Sequence, residues 1–148
     1  MLNTNSYHLS KKVPMQFAEA IERVTEDLKK EGFGIITSID LKETFKKRIG
    51  KDFRNYVVLG ACNPKYAYDA LLVNDKVGVF LPCSVVVQEY NSGETEVSIV
   101  NPEELMLGVD DPRLRTFATE IKYAMQNVLN RLSRWDKNDR RTNAEILM

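Results

Sequence analysis

The chain has 148 residues, 43% of them hydrophobic and 28% charged, and its 21 basic and 21 acidic residues cancel. Such proportions describe one globular domain large enough to bury its own core. A net charge of zero argues against nucleic acid as a partner, since phosphates are met by a basic surplus. No apolar run approaches the roughly 20 residues needed to cross a bilayer, so no membrane partner is expected.

The opening residues, Met1 through Ser6, lack a basic stretch followed by an apolar one, so no secretory signal is expected and the cytoplasm is the expected location. Residues 6–9 read as a first strand. Phe17, Ile21, Val24 and Leu28 then make one stripe of an amphipathic helix, with Pro14 suited to its first turn and Gly32 to the left-handed position after its end. Phe33, Ile35, Thr37 and Ile39 alternate with Gly34, Ile36, Ser38 and Asp40 as a strand whose Phe33, Ile35 and Ile39 face a helix layer. Asp40-Leu41-Lys42-Glu43 has capping-box spacing and opens a short helix that carries Phe45 and Ile49 inward and stops at Gly50.

Residues 56–61 form a β-branched and aromatic strand, and residues 77–81 read as a short strand stopped by Pro82. Residues 84–90 and 95–100 flank Asn91-Ser92-Gly93-Glu94 as a hairpin with a four-residue loop. Three helices begin with an Asx-Pro pair, at Asn63-Pro64, Asn101-Pro102 and Asp111-Pro112. In each the side chain can accept from an orphan N–H, while the proline has no N–H to waste. The last helix carries Leu114, Phe117, Ile121, Ala124, Val128, Leu132 and Trp135 inward. The order β-α-β-α-β-α-β-β-β-α-α predicts an α+β fold, with helices packed on one face of a largely antiparallel sheet. Residues 1–132 form a single domain in this reading. Residues 133–148, polar before the apolar close Ile146-Leu147-Met148, are an extension of the last helix or a tail docked on the body or on a neighbouring chain.

Chemistry is sought first at the two cysteines, which are too few for a disulfide framework and are expected as thiols. Cys62 precedes a helix start, where unpaired N–H groups and the helix dipole favour a thiolate. Its bland alternative is a small buried hydrophobe. Cys83 shares a strand face with Val85 and Val87, which reads as core, although two thiols at strand junctions can meet in space. A zinc site needs about four ligands, and one chain offers two cysteines and His8, so metal would require two chains pooling their thiols. His8 alone supports no Ser-His-Asp set and reads as a structural histidine. Gly32-Phe33-Gly34 enters a strand rather than a helix and is not a dinucleotide fingerprint, so no cofactor is expected. Lys46, Lys47, Arg48 and Lys51 read as a solvated helix face able to hold at most a small anion, and Arg131, Arg134, Lys137 and Arg141 as another exposed stripe. The second sheet face, with Gly34, Ile36, Ser38, Ser84, Val86, Gln88, Tyr90, Ser98 and Val100, is half apolar. Such a surface suits a homodimer contact or a ligand cleft.

At Ala61-Cys62-Asn63-Pro64, Ala67, Ala70-Leu71, Gly78 and Leu81-Pro82-Cys83 with Val85 and Val87, the chain resembles the domain-of-unknown-function family 302. Gly32-Phe33-Gly34, Asp40, Thr44, Lys46, Gly50 and Pro102 match as well, and the resemblance runs from about Tyr7 to Leu132. It implies a small bacterial or archaeal α+β domain with no agreed activity. Its motif residues fall on Cys62, Asn63, Pro64, Leu81, Pro82 and Cys83, while Ser84 departs from the asparagine more usual there. The leading expectation is a small-ligand or partner-binding module, as a homodimer, with a site lined by Cys62, Asn63, Pro64, Pro82, Cys83 and Ser84. Thiol chemistry is the second, with Cys62 as nucleophile or redox centre and Cys83 as the second thiol. A metal site shared across a dimer is the third.

Overall fold

The structure is a computed structural model that describes residues 3–5 and 7–133. The expectations placed on Ser6, Arg134, Trp135, Lys137, Arg141 and the rest of the tail lie outside the described residues.

Among the described residues six strands form one sheet: β1 (Asn3–Asn5), β2 (His8–Val13), β3 (Gly34–Asp40), β4 (Tyr56–Cys62), β5 (Cys83–Glu89) and β6 (Thr95–Val100). They lie in the order β1-β2-β6-β5-β4-β3, and every neighbouring pair is antiparallel. The helices are α1 (Phe17–Lys30), α2 (Leu41–Ile49), α3 (Pro64–Val73), α4 (Pro102–Leu105) and α5 (Pro112–Ser133). The fold is α+β, as the element pattern predicts. The elements differ in two places. Asn3–Asn5 form an unexpected strand beside the first expected one, which runs His8–Val13 and not 6–9. Residues Val77–Phe80 form a 3-10 helix where a strand was expected. The β-branched composition of that segment suited either state. What decides is packing, since Val77 and Phe80 join a small second core with Ala70, Met106 and Leu114 instead of a ladder.

Strand alternation builds the main core. Leu9 stands beside Ile99, Val85 and Leu59 across four strands, and Val97 beside Val87 and Val57 on the next inward rung. Val24 and Leu28 of α1 and Met125, Val128, Leu129 and Leu132 of α5 close over this face. Gly32 at φ +85° closes α1, while Pro14 stands before the helix, whose N-cap is Gln16. The three Asx-Pro starts form as expected. Asn63 accepts from Lys65 and Tyr66, Asn101 from Glu103, and Asp111 from Arg113, all through backbone N–H groups.

Two inward assignments fail. A bulge between Ile35 and Thr37 shifts the register of β3 by one residue, so Ile39 pairs with Val58 and Ser38 with Leu59. One extra residue reverses the faces beyond it. Ile39 therefore leaves the helix side and is 48% exposed. Ile49 is also exposed, because α2 buries none of its residues. Phe45, half-buried, meets Phe53 edge-to-face, and Phe53 in turn contacts Tyr56. Asp40 still caps α2 through Glu43 N–H, and Gly50 ends it at φ +64°.

Candidate functional site

The paired motifs come together at one end of β4 and β5, where Ala61 lies opposite Cys83 and Cys62 follows one residue later. Both thiols are free. Cys83 belongs to the main core, and burial, with the nearby Cys62 thiol second, pushes its pKa up to about 11. It is a protonated thiol at neutral pH. Cys62 is half-buried, and strand alternation turns it away from the face that holds Cys83.

The other motif residues shape the chain. Asn63 caps α3, and its side-chain amide lies so close to Gly32 that a Cβ there would come within 2.9 Å of Nδ2. One asparagine thus caps α3 while packing beside the turn that ends α1. Pro64 takes the first turn of α3. Pro82, after a cis peptide bond, sets its ring against Gly60, in space a side chain would otherwise fill. Ser84 is exposed and pairs with Gly60.

The outer sheet face carries a cleft of about 480 Å³. Tyr7, His8, Tyr56, Ser84, Gln88, Tyr90, Glu96 and Ser98 line it with Val86 and Val100, so the β5–β6 part of the half-apolar face read from the sequence is concave. Gly34, Ile36 and Ser38 do not line it, and the β3 bulge gives Ser38 the inward partner Leu59. Of the six expected ligand-binding residues, Ser84 alone lines it; Cys62, Asn63, Pro64, Pro82 and Cys83 do not.

Hydrogen bonds fix much of its lining. On the β2–β6 rung, Ser10 Oγ donates to Ser98 Oγ at 2.7 Å and lies 2.6 Å from His8 Nδ1. With its own proton spent on Ser98, Ser10 accepts from His8 Nδ1–H. On the opposite side Arg54 donates to Gln88 Oε1 from Nε and Nη2, at 3.0 and 2.9 Å. Its guanidinium carbon lies 4.5 Å from the Phe53 ring centre, 5.4 Å from that of Tyr90 and 5.8 Å from that of Tyr56. Tyr90 donates its hydroxyl to Glu96 at 2.9 Å. Burial, and then that bond, raise the Tyr90 pKa above the usual tyrosine value, which keeps the proton on the donor.

Arg54, Tyr7, Ser10, Tyr56 and Glu96 escape the sequence reading. Tyr56 and Glu96 had a usable signal, since each alternates with core valines. Arg54 precedes its strand and carries none. Of the residues read as exposed basic faces, Lys46 meets Asp52 and Lys47 meets Glu43 at the surface, whereas Arg131 is half-buried and meets the buried Asp27 together with Glu31. Among the described residues no three His, Cys, Asp or Glu side chains are grouped to hold a metal ion. No described helix is long and apolar enough to cross a membrane.

Residues 9–132 match the family model described as domain of unknown function DUF302. A crystal structure of an uncharacterized conserved protein DUF302 from Bacillus stearothermophilus is 35% identical in sequence. It superposes with a TM-score of 0.80 over 86% of this chain and 99% of that one. No curated protein matches the chain. With the motif residues, the α+β sheet and a family match over nearly all of the described domain in agreement, this chain belongs to the DUF302 family.

Proposed function

We propose that this protein is a small-molecule-binding module whose site is the cleft on the outer face of the sheet. The observation that carries this reading is the pre-set polar lining. His8, Ser10 and Ser98 on one side and Arg54, Gln88, Tyr90 and Glu96 on the other are held by hydrogen bonds before any ligand arrives. Side chains already fixed lose little further freedom on binding, which favours affinity. The Cys62–Pro64 and Pro82–Ser84 motifs then serve as the frame at one end of β4 and β5, and Ser84 as the point where frame and cleft meet.

Amide-resolved NMR with a mixture of soluble fragments at millimolar concentration tests this reading. Shifts gathered on Tyr7, Ser84, Gln88 and Ser98 are the expected result. A mixture that leaves all of these unmoved overturns it, as does a concentration-dependent homodimer that closes the same face.

Thiol chemistry remains a second reading, favoured by the partial exposure of Cys62 beside the first turn of α3. It predicts fast alkylation of Cys62 below pH 7. Resistance of both thiols until unfolding refutes it.

A further inference from the structure

We propose that the cleft recognises a planar heterocycle with a cyclic-amide edge, its ring carbonyl accepting from Gln88 and its adjacent ring N–H donating to Glu96. This deepens the binding reading above and rests on it. Gln88 and Glu96 are direct cross-strand partners on β5 and β6, so their side chains stand side by side on the outer face. Both line the cleft.

Each is also fixed in orientation. Arginine has donors only, so the atom of Gln88 that Arg54 grips with two bonds must be the amide oxygen. The NH2 group is thereby turned away from Arg54. Glu96 receives the Tyr90 hydroxyl on Oε1, which leaves Oε2 to accept. Among the described residues, neither Gln88 Nε2 nor Glu96 Oε2 has a hydrogen-bond or ion-pair partner, although Gln88 is only 8% exposed. The cleft therefore offers a fixed donor next to a fixed, charged acceptor.

A cyclic amide presents the complement, C=O beside N–H, in one rigid plane. A ligand carboxylate would be repelled by Glu96, and a simple organic cation would leave the Gln88 donor unanswered. Tyr56 pairs with Gln88 on β4, and Tyr90 lies two residues beyond Gln88, so aromatic rings flank the edge on which the heterocycle would settle. Arg54, packed on both rings, holds them in place.

Inosine is a suitable probe, and 1-methylinosine, whose methyl replaces the ring N–H, is its control. In NMR titrations of the unaltered protein, inosine should shift the amides of Tyr56, Gln88 and Glu96. 1-Methylinosine should bind about tenfold more weakly or worse, the effect of losing one hydrogen bond to a charged group. Glu96→Leu should abolish the preference between the two, with the remaining amide spectrum showing the fold intact. If fragments bind the cleft while inosine does not, or if methylation changes nothing, the cyclic-amide assignment falls and the binding site stands. If no small molecule moves the outer face, both fall.

Discussion

Replacing Gly60 by alanine tests whether the Leu81-Pro82-Cys83 motif acts by packing. Gly60 lies in β4, buried, with ordinary extended backbone, so no conformational privilege explains a glycine there. The reason is space. A Cβ at Gly60 would overlap Thr37 Oγ1 and lie 2.7 Å from Pro82 Cγ and 3.3 Å from Pro82 Cβ. Real Cβ atoms essentially never approach this closely, so something must move. Thr37 can yield by rotating, since it sits on the exposed edge strand β3. Pro82 cannot, because its ring is tied to the backbone between the 3-10 helix and β5. Forcing one methyl group into a closed space costs about 1–3 kcal/mol, and the immobile partner puts Gly60→Ala near the upper end. Urea unfolding reads this as a lower midpoint at constant slope. Adding Thr37→Ala should return about 1 kcal/mol by removing one of the two obstacles, with the Pro82 share remaining. A Gly60→Ala protein within about 0.5 kcal/mol of the parent would show that the contact is soft and the packing account wrong.

Asp27 on α1 is fully buried, with Arg23 Nε at 3.6 Å, Lys30 Nζ at 3.5 Å and Arg131 Nε at 3.8 Å. Asp27→Ala removes the one carboxylate these cations share and should cost about 3 kcal/mol in urea unfolding; a loss below about 1 kcal/mol refutes a binding role for this cluster between α1 and α5. Cys83 supplies a pH test. Its pKa is raised from 9.0 to about 11 on folding, so the fold favours the protonated thiol. That contribution is complete below pH 9 and lost as pH rises towards 11, by about 3 kcal/mol at most. Stability between pH 9 and 11 should therefore fall less steeply in Cys83→Ala than in the parent, and equal slopes would contradict the burial of this thiol.

Where local chemistry decides, the sequence was legible. The Asx-Pro helix starts, the left-handed Gly32 and Gly50, and the hairpin from β5 to β6 each depend on a few adjacent residues, and each forms as read. Ile39 was misread because a bulge inserts one residue without any compositional mark, and period-two reasoning carries the error onward. Residues 77–81 were misread because five residues rich in valine suit a strand or a single turn equally, and only the second core chooses. The same limit governs the candidate site. The outward set Ser84, Val86, Gln88, Tyr90, Ser98 and Val100 follows from alternation, and all six line the cleft. Arg54 joins them through Gln88, 34 residues away, and such pairings are fixed by strand register rather than by spacing.

The motif and the cleft share β5 and, through Tyr56, β4, and this shapes what the motif can do. Asn63 packs beside the turn at Gly32, and Pro82 fills the empty position of Gly60. These contacts set where β4 ends and where β5 begins. The register that follows places Tyr56 opposite Gln88 and Gly60 opposite Ser84. A slip of one residue would turn Gln88 and Ser84 into the core and Val85 and Val87 into the cleft. The inward Cys83, with its high pKa, stands opposite Ala61 in the main core on the same strand pair. A compact set of motif residues can in this way specify the shape of an outer sheet face that most of them never touch. Under the binding proposal, the chemistry of recognition rests with the outward residues of β5 and β6, whose identities the motif leaves open.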